Sequence, residues 1–149
     1  FISYANQNKL IDYVIKPHPT WSEDKIKSLF SKGELSNFRF VKGDFHYHVE
    51  KANLLVSNAS SVSLEALTKG VPVIIIAPNS GIVQNPIPVD VSNNIWRLVR
   101  NLKDLNDSID FFKNRPLDED RSEYSYVKKE YFEPISEASV RNFLGLEQR

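Results

Sequence analysis

The sequence predicts an α/β fold, a Rossmann-like parallel sheet flanked by helices. Short apolar runs recur along the chain. Between the earlier runs lie stretches in which apolar residues recur at helical spacing. The runs are almost continuous in apolar residues, which is typical of parallel strands that are covered on both faces. Strands that alternate with helices of about ten residues favour right-handed βαβ units. Residues 54–76 show the pattern best, because they predict a strand, a polar corner, a helix and the most apolar strand of the chain.

The N-terminal part predicts a strand, a proline-rich corner and a helix. Residues 10–15 form the first apolar run, and two prolines within residues 16–20 end it, because proline fixes φ and removes a backbone donor. Thr20 and Glu23 have the spacing of a capping box, which predicts a helix over residues 21–32.

The rest of the chain continues the alternation up to residue 116. Asp44 is placed to cap a short helix, and Gly70 is placed to end a helix before the most apolar strand. Residues 78–88 are rich in Asn, Gly and Pro and predict a loop, and the charged residues 117–124 predict a linker. In order, further strands are predicted at residues 38–41, 54–56, 71–76 and 95–99, and further helices at residues 45–52, 60–69, 105–116, 126–132 and 138–144.

Composition limits the classes of function. At 149 residues and 41% hydrophobic content, the chain matches one domain with one core. Its 19 basic residues balance 19 acidic ones, so nucleic acid is not an expected partner and any anion site must be local. The absence of cysteine excludes disulfide and thiolate chemistry. The longest apolar run is far shorter than the ~20 residues of a membrane-spanning helix, and the absence of methionine predicts a segment of a longer chain.

Two polar corners are predicted to lie at the same edge of the sheet. His18 follows the first predicted strand, and residues 57–61 follow the third. In parallel sheets, ligands bind beyond the carboxyl ends of the strands, where both corners fall. Ser60 and Ser61 open a helix whose first amides are unpaired, and its dipole places ~+0.5 charge there, which favours an anion.

Each of these residues also has a purely structural interpretation. A serine at the start of a helix can act only as its N-cap, and a histidine between prolines can be an ordinary loop residue. Glu65 can be an exposed helix residue, but it is not the acid of a capping box, because residue 62 is valine. It lies one helical turn after Ser61, where a carboxylate would repel phosphate and accept hydrogen bonds from sugar hydroxyls.

Two further groups of polar residues are weaker candidates for a binding site. His46 and His48, with Asp44, resemble a metal cluster, but residues two apart on a helix point to different faces, so no metal is predicted. A cluster of basic side chains near the fifth strand is diluted by acidic neighbours and predicts a solvated face; it comprises Arg97, Arg100 and Lys103.

Taken together, these motifs resemble the C-terminal domain of GT-B glycosyltransferases. The resemblance rests on Lys-Pro-His-Pro at residues 16–19, on Ser60-Ser61 with Glu65, and on Ala-Leu-x-x-Gly-Val-Pro-Val-Ile from Ala66 onward. It covers about half of the chain. The most similar groups are bacterial surface-polysaccharide enzymes of the sialyltransferase-like, Kdo-transferase-like and CDP-glycerol glycerophosphotransferase-like types.

The resemblance implies a nucleotide-activated donor. It makes His18, Ser60 and Ser61 contacts of the donor phosphate, with His18 also stabilising the leaving phosphate, and it makes Glu65 a contact of the ribose. The implied donor is CMP-, CDP- or UDP-linked and carries a sugar or a polyol phosphate, and no metal or other cofactor is required. Weaker candidates for the same site are Lys16, Thr20, Asn58 and Asn79.

The chain departs from the family pattern at both ends. Family members carry an N-terminal domain with the acceptor site, and their second domain begins with a strand that the resemblance predicts to be missing here. Residues 1–116 then correspond to the nucleotide-binding domain, and residues 117–149 to a linker and helices that pack on it or on the absent N-terminal domain. The implied parent is a cytoplasmic enzyme of cell-envelope polysaccharide synthesis, at the inner face of the cytoplasmic membrane if it associates peripherally. The fragment alone is expected to be inactive or nearly so.

Two other classes remain open from the residues. Sugar-nucleotide 2-epimerases share the two-domain architecture, but their serine corner usually reads Asp-Ser-Gly-Gly, whereas residues 58–61 here read Asn-Ala-Ser-Ser. A non-catalytic α/β interaction module is the other alternative, because fold does not imply function.

Overall fold

Every apolar run that predicted a strand forms one in the computed structural model, which describes residues 1–31, 33–116, 119–132 and 134–145. Four of the strands are shorter than predicted by one to three residues, mostly at their N-terminal ends, and the third keeps its length but is shifted by one residue. They are β1 (Tyr13–Ile15), β2 (Phe38–Phe40), β3 (Leu55–Ser57), β4 (Val73–Ile76) and β5 (Trp96–Val99). The helices are α1 (Ile2–Gln7), α2 (Glu23–Lys27), α3 (Phe45–Val49), α4 (Val62–Thr68), α5 (Leu102–Lys113), α6 (Arg121–Tyr131) and α7 (Glu137–Phe143).

The strands form two small parallel sheets. In the first sheet β1 pairs with β2, and Ile15 lies opposite Phe40. In the second sheet the order is β3-β4-β5, with Leu55 opposite Val73 and Val73 opposite Trp96. No backbone ladder joins the two sheets within the described ranges. The α/β class with parallel pairing is therefore confirmed, and the single continuous sheet is replaced by two.

Helices cover both faces of the larger sheet. Successive side chains of a strand point to opposite faces, and β4 divides accordingly between two apolar clusters. Val73 and Ile75 join the cluster that contains Leu67 of α4 and Val127 of α6. Ile74 joins the cluster that contains residues of α1 and α5, namely Tyr4, Ala5, Leu105 and Ile109.

The helices before and after β2 lie on opposite faces. Phe45 and Val49 of α3 belong to the cluster of α4, so α3 and α4 share a face. On α2, the Lys27 ammonium lies 5.1 Å from the ring centroid of Phe40, and Phe40 is on the same side of β2 as Phe38, which packs against the cluster of α1 and α5.

Because these helices lie on opposite faces, the crossover before β2 and the crossover after it move across the sheet in opposite directions. Because β-helix-β crossovers between parallel strands are right-handed, helices on the same face carry the chain in one direction and helices on opposite faces carry it in opposite directions. The strand order implied is β2-β1-β3-β4-β5, with β1 beside β3. Tyr13 of β1 and Val56 of β3 accordingly belong to one apolar cluster. A topological switch point between β1 and β3 is inferred from this handedness; within the described ranges the two strands share an apolar cluster and no backbone ladder.

The first predicted helix is shorter and begins later than expected. The capping box of Thr20 and Glu23 is wrong, because Ser22 is the N-cap and its hydroxyl accepts a hydrogen bond from the Lys25 amide at 3.1 Å. The Ser28 amide still donates to the carbonyl four residues earlier, but the amides of Leu29 and Phe30 donate to carbonyls three residues earlier, so the helix tightens and stops. Lys32, the predicted end, lies outside the described residues.

The predicted linker at residues 117–124 is wrong over its second half, because α6 begins at Arg121. Charges there are paired rather than solvated: the buried Asp120 carboxylate accepts from the Arg115 guanidinium at 2.6 Å. Residues 117 and 118 lie outside the described residues. Burial of α6 against the larger cluster, together with a smaller effect of Asp120, raises the pKa of Tyr124 to about 12.

The last helix differs from α6 in burial. α7 begins at a capping box formed by Ser136 and Ser139, and none of its residues is buried. Packing on this domain is therefore observed for α6 and not for α7, and docking of the segment on an N-terminal domain stays a prediction. In the described part of the chain, no helix has the length and apolarity to span a bilayer.

Candidate functional site

The carboxyl ends of the strands meet at one edge because α3 and α4 run side by side in the same direction. Near the start of α3, His46 Nε2 lies 3.4 Å from Glu65 Oε2 in the first half of α4. Near their ends, Lys69 Nζ lies 2.8 Å from Glu50 Oε1. Parallel crossover helices require parallel strands before them, so β2 and β3 point the same way. Since β1 is parallel to β2, the loops after β1, β2 and β3 leave the same edge.

The serine corner after β3 is built as an open donor site. Ser61 is the N-cap of α4 and makes no side-chain capping bond, so its hydroxyl is not used to start the helix. Within the described residues, nothing accepts from the amides of Ser60, Ser61 and Val62 or bonds the two serine hydroxyls. The interpretation of these serines as side-chain caps is therefore wrong, and several donors face the edge.

A buried hydrogen bond fixes this corner to the strand. Ser63 in the first turn of α4 is fully buried, and its hydroxyl lies 2.7 Å from the hydroxyl of Ser57 at the end of β3. Ser63 has no exposed surface and so leaves no space for a bound group, whereas Ser57 is partly exposed. Ser63 is a site residue that the sequence analysis missed, and the only signal for it was its position on the inward face of a predicted helix.

His18 lies in an exposed turn after β1. Its Nδ1 lies 2.8 Å from the Thr20 hydroxyl and accepts from the Thr20 amide at 3.3 Å, while its carbonyl accepts from the Trp21 amide at 2.8 Å. An Nδ1 that accepts from a backbone amide leaves the ring proton on Nε2, which points away from this turn as a donor. Thr20 thus orients the histidine and does not cap a helix.

Glu65 is half-buried and is not an isolated surface residue. Its Oε2 contacts the imidazole of His46, while Oε1 has no partner among the described residues. His46 was interpreted from the sequence only as a doubtful metal ligand. The contact joins residues 19 positions apart, so no local spacing rule could have found it.

The two histidines of α3 point to different places, as their spacing predicts. His46 faces Glu65, whereas His48 Nε2 lies 2.8 Å from the carbonyl of Lys42. Across the described residues, no three His, Asp or Glu side chains are grouped as metal ligands. The nearby Glu50 carboxyl has a lowered pKa because it accepts a hydrogen bond from the Lys69 ammonium.

The weaker candidates are distributed around the same edge. Lys16 is half-buried directly after β1, and Asn58 is exposed directly after β3. Asn79 is exposed at the start of the loop after β4, where the Arg100 guanidinium donates to the Pro78 carbonyl at 2.6 Å. Arg100 is thus a loop anchor rather than part of a free basic face.

The structure groups the predicted residues by corner and not into one bonded network. Hydrogen bonds of His18 stay within its own turn, and among the described residues none joins that turn to Ser60, Ser61 or Glu65. The two corners are brought to one edge by the fold, on either side of the switch point. Their chemistry suits binding of an oxyanion by neutral donors, with a carboxylate one turn away.

Comparison of the chain with protein-family models, with curated proteins and with solved structures gave no match.

Proposed function

We propose that this chain is the donor-binding domain of a glycosyltransferase that uses a nucleotide-activated sugar or polyol phosphate in the synthesis of surface polysaccharide. The observation that carries the proposal is the position of two polar corners after parallel strands, with the His18 turn after β1 and the serine corner after β3, on either side of the inferred switch point. Ligands of open parallel sheets bind in the crevice at such a point. The motif resemblance names the ligand class, and the placement of the motifs supports it.

The serine corner is the proposed phosphate contact. The amides and hydroxyls of Ser60 and Ser61 are donors without partners in the described chain, and neutral donors suit a chain whose 19 basic and 19 acidic residues cancel. Oxygens of a diphosphate or phosphodiester accept from such groups without a balancing cation. This explains why Ser61 is at the N-cap position and yet makes no capping bond.

Glu65 is the proposed ribose contact. A carboxylate one turn beyond the phosphate donors opposes an anion and accepts from hydroxyl groups, and its Oε1 atom has no partner within the described ranges. A nucleotide places its ribose hydroxyls next to its phosphate, so both preferences are met by one ligand.

His18 has the proposed role in bond cleavage. An acceptor hydroxyl forms a bond to the anomeric carbon of a sugar donor, or to the phosphorus of a polyol phosphate donor, as the bond to the nucleotide phosphate oxygen breaks, so negative charge develops on the leaving phosphate. An imidazole N–H aimed at that oxygen, together with fixed backbone amides, stabilises the charge more in the transition state than in the ground state. Thr20 holds the histidine ring for this role through its contacts with Nδ1.

The test is nucleotide binding by the 149-residue chain. Thermal shift with CMP, CDP, UDP and GDP identifies the base, and titration calorimetry then compares wild type with His18→Ala and Ser61→Ala. Both variants are expected to bind the selected nucleotide more weakly, by about five-fold or more for one lost phosphate contact. Ser125→Ala, at an exposed serine of α6, is the matched control and is expected to bind as wild type does.

A second comparison separates ribose from phosphate. Glu65→Ala is expected to weaken binding of the nucleoside monophosphate more than binding of inorganic pyrophosphate, which has no ribose. Equal losses would contradict the ribose contact. Unchanged affinity in both His18→Ala and Ser61→Ala would contradict the donor site, and no response to any nucleotide would favour a non-catalytic interaction module.

A further inference from the structure

The contact between His46 and Glu65 links two helices at the edge where the proposed ligand lies. The two groups are partly exposed, with 49% and 29% of their side-chain surfaces accessible, so solvent and a ligand can both reach them. The second cross-link, between Glu50 and Lys69, fixes the spacing of α3 and α4 at their other ends. The carboxylate of Glu65 is therefore held by a defined partner on its Oε2 side.

The imidazole of His46 is itself held in place. Its helix is capped by Asp44, whose Oδ1 accepts from the His46 amide at 3.2 Å, and its ring lies edge-on to Phe45 with 5.8 Å between centroids. Phe45 packs against the larger apolar cluster, so it gives the ring a rigid neighbour. An ordinary surface pair of long side chains lacks such support.

We propose that His46 is a positioning residue of the donor site, which turns Glu65 so that Oε1 receives the ribose and offsets the charge of Glu65 when the imidazole is protonated. The inference rests on the proposed function, because it needs a ribose and a phosphate at this edge. It assigns a role to a residue that no motif includes.

The charge offset predicts a pH-dependent affinity. Imidazole side chains change charge between about pH 5 and 8. With His46 protonated, the pair it forms with Glu65 is neutral, and an anion at the serine corner is not repelled. With His46 neutral, the Glu65 carboxylate is unbalanced and opposes the phosphate. The affinity gain is therefore present only while the imidazole carries its charge.

The other charged groups around His46 do not reproduce this effect. Asp44 uses its carboxylate at the start of α3, and Glu50 is paired with Lys69. His48 is two residues away on α3, and its ring contacts the Lys42 carbonyl instead of Glu65. His48→Gln is consequently a matched control, because it removes a histidine of the same helix that does not face the site.

The experiment is a titration of the 149-residue chain with the nucleoside monophosphate that thermal shift selects, at pH 5.5 and pH 8.0. His46→Gln keeps a polar side chain beside Glu65 and removes the imidazole charge, whereas His46→Ala removes both. Relative to wild type, His46→Gln is expected to bind about three-fold more weakly at pH 5.5, a factor within the range of exposed ion pairs, and about equally at pH 8.0. His46→Ala is expected to bind more weakly at both pH values. The phosphate also changes charge over this range, so each variant is compared with wild type at the same pH.

The outcomes separate the two proposals. If wild type binds the nucleotide and Ser61→Ala weakens it, but His46→Gln shows the wild-type pH profile, the role of His46 is overturned and the donor site stands. The role is also overturned if His48→Gln gives the same loss as His46→Gln. If no nucleotide binds to wild type, the donor site and the role of His46 are overturned together.

Discussion

Removal of two methyl groups from Val127 tests whether α6 is an integral part of this domain. The side chain is fully buried in the cluster that joins α6 to α4 and to the larger sheet. Its truncation in Val127→Ala removes about 1.6 kcal/mol of transfer free energy, at about 0.8 kcal/mol per buried carbon. A cavity term adds to this, so the expected loss in the free energy of unfolding is about 2 kcal/mol.

The loss is measured by thermal unfolding followed by circular dichroism. A chain of this size loses about 3 °C in Tm for each kcal/mol, so Val127→Ala is expected to melt about 6 °C below wild type. Val140→Ala on α7 is the matched control, because that side chain is 40% exposed and packs in neither cluster, and its Tm is expected to change by about 1 °C or less. Equal Tm values for the two variants would refute the packing of α6 on α4 and would favour a C-terminal segment that docks elsewhere.

Two further predictions concern buried and linked polar groups. Ser57→Ala leaves the buried Ser63 hydroxyl without its partner and is expected to lower the free energy of unfolding by about 1–2 kcal/mol, measured by urea denaturation. The double variant Ser57→Ala with Ser63→Ala is expected to lose less than the sum of the two single variants. Additive losses would contradict the hydrogen bond. Hydrogen bonds from the hydroxyls of Tyr126 and Tyr131 lower the pKa of Asp90, so its stabilising effect is present above the unfolded pKa of ~3.9 and is lost as the pH falls below it. Wild type is therefore expected to exceed Asp90→Asn in Tm at pH 7, with the difference closing toward pH 3; a pH-independent difference would contradict the linkage.

The strands could be predicted because their signal is local. Continuous apolar runs such as residues 71–76 have few other uses in a polar chain, and all of them pair as parallel strands. The end of the first helix could not be predicted as well. Thr20 and Ser22 are both good N-caps, and the choice between them depends on His18, which takes the hydroxyl of Thr20.

The candidate site also has a part that the sequence predicts and a part that it does not. The serine corner and His18 were visible because strand ends and helix starts have sequence signals. The contact of His46 with Glu65 depends on how two separate helices pack, and the pairing of Arg115 with Asp120 depends on how the chain turns between α5 and α6; neither arrangement has a signature in the sequence. The predicted linker failed for this reason, because charge in a sequence indicates solvent only when no partner folds against it.

The seam between β1 and β3 affects how the domain deforms. Within the described chain, the two sheets meet through interdigitated side chains and share no backbone ladder. Side-chain contacts tolerate small sliding motions that a ladder of hydrogen bonds resists, so the two sheets are expected to slide along this seam more easily than the paired strands within either sheet. A ligand that contacts both the turn of His18 and the corner of Ser60 would link the two sheets and stiffen the domain as it binds. Amide hydrogen exchange along the facing edges of β1 and β3 would report that stiffening directly.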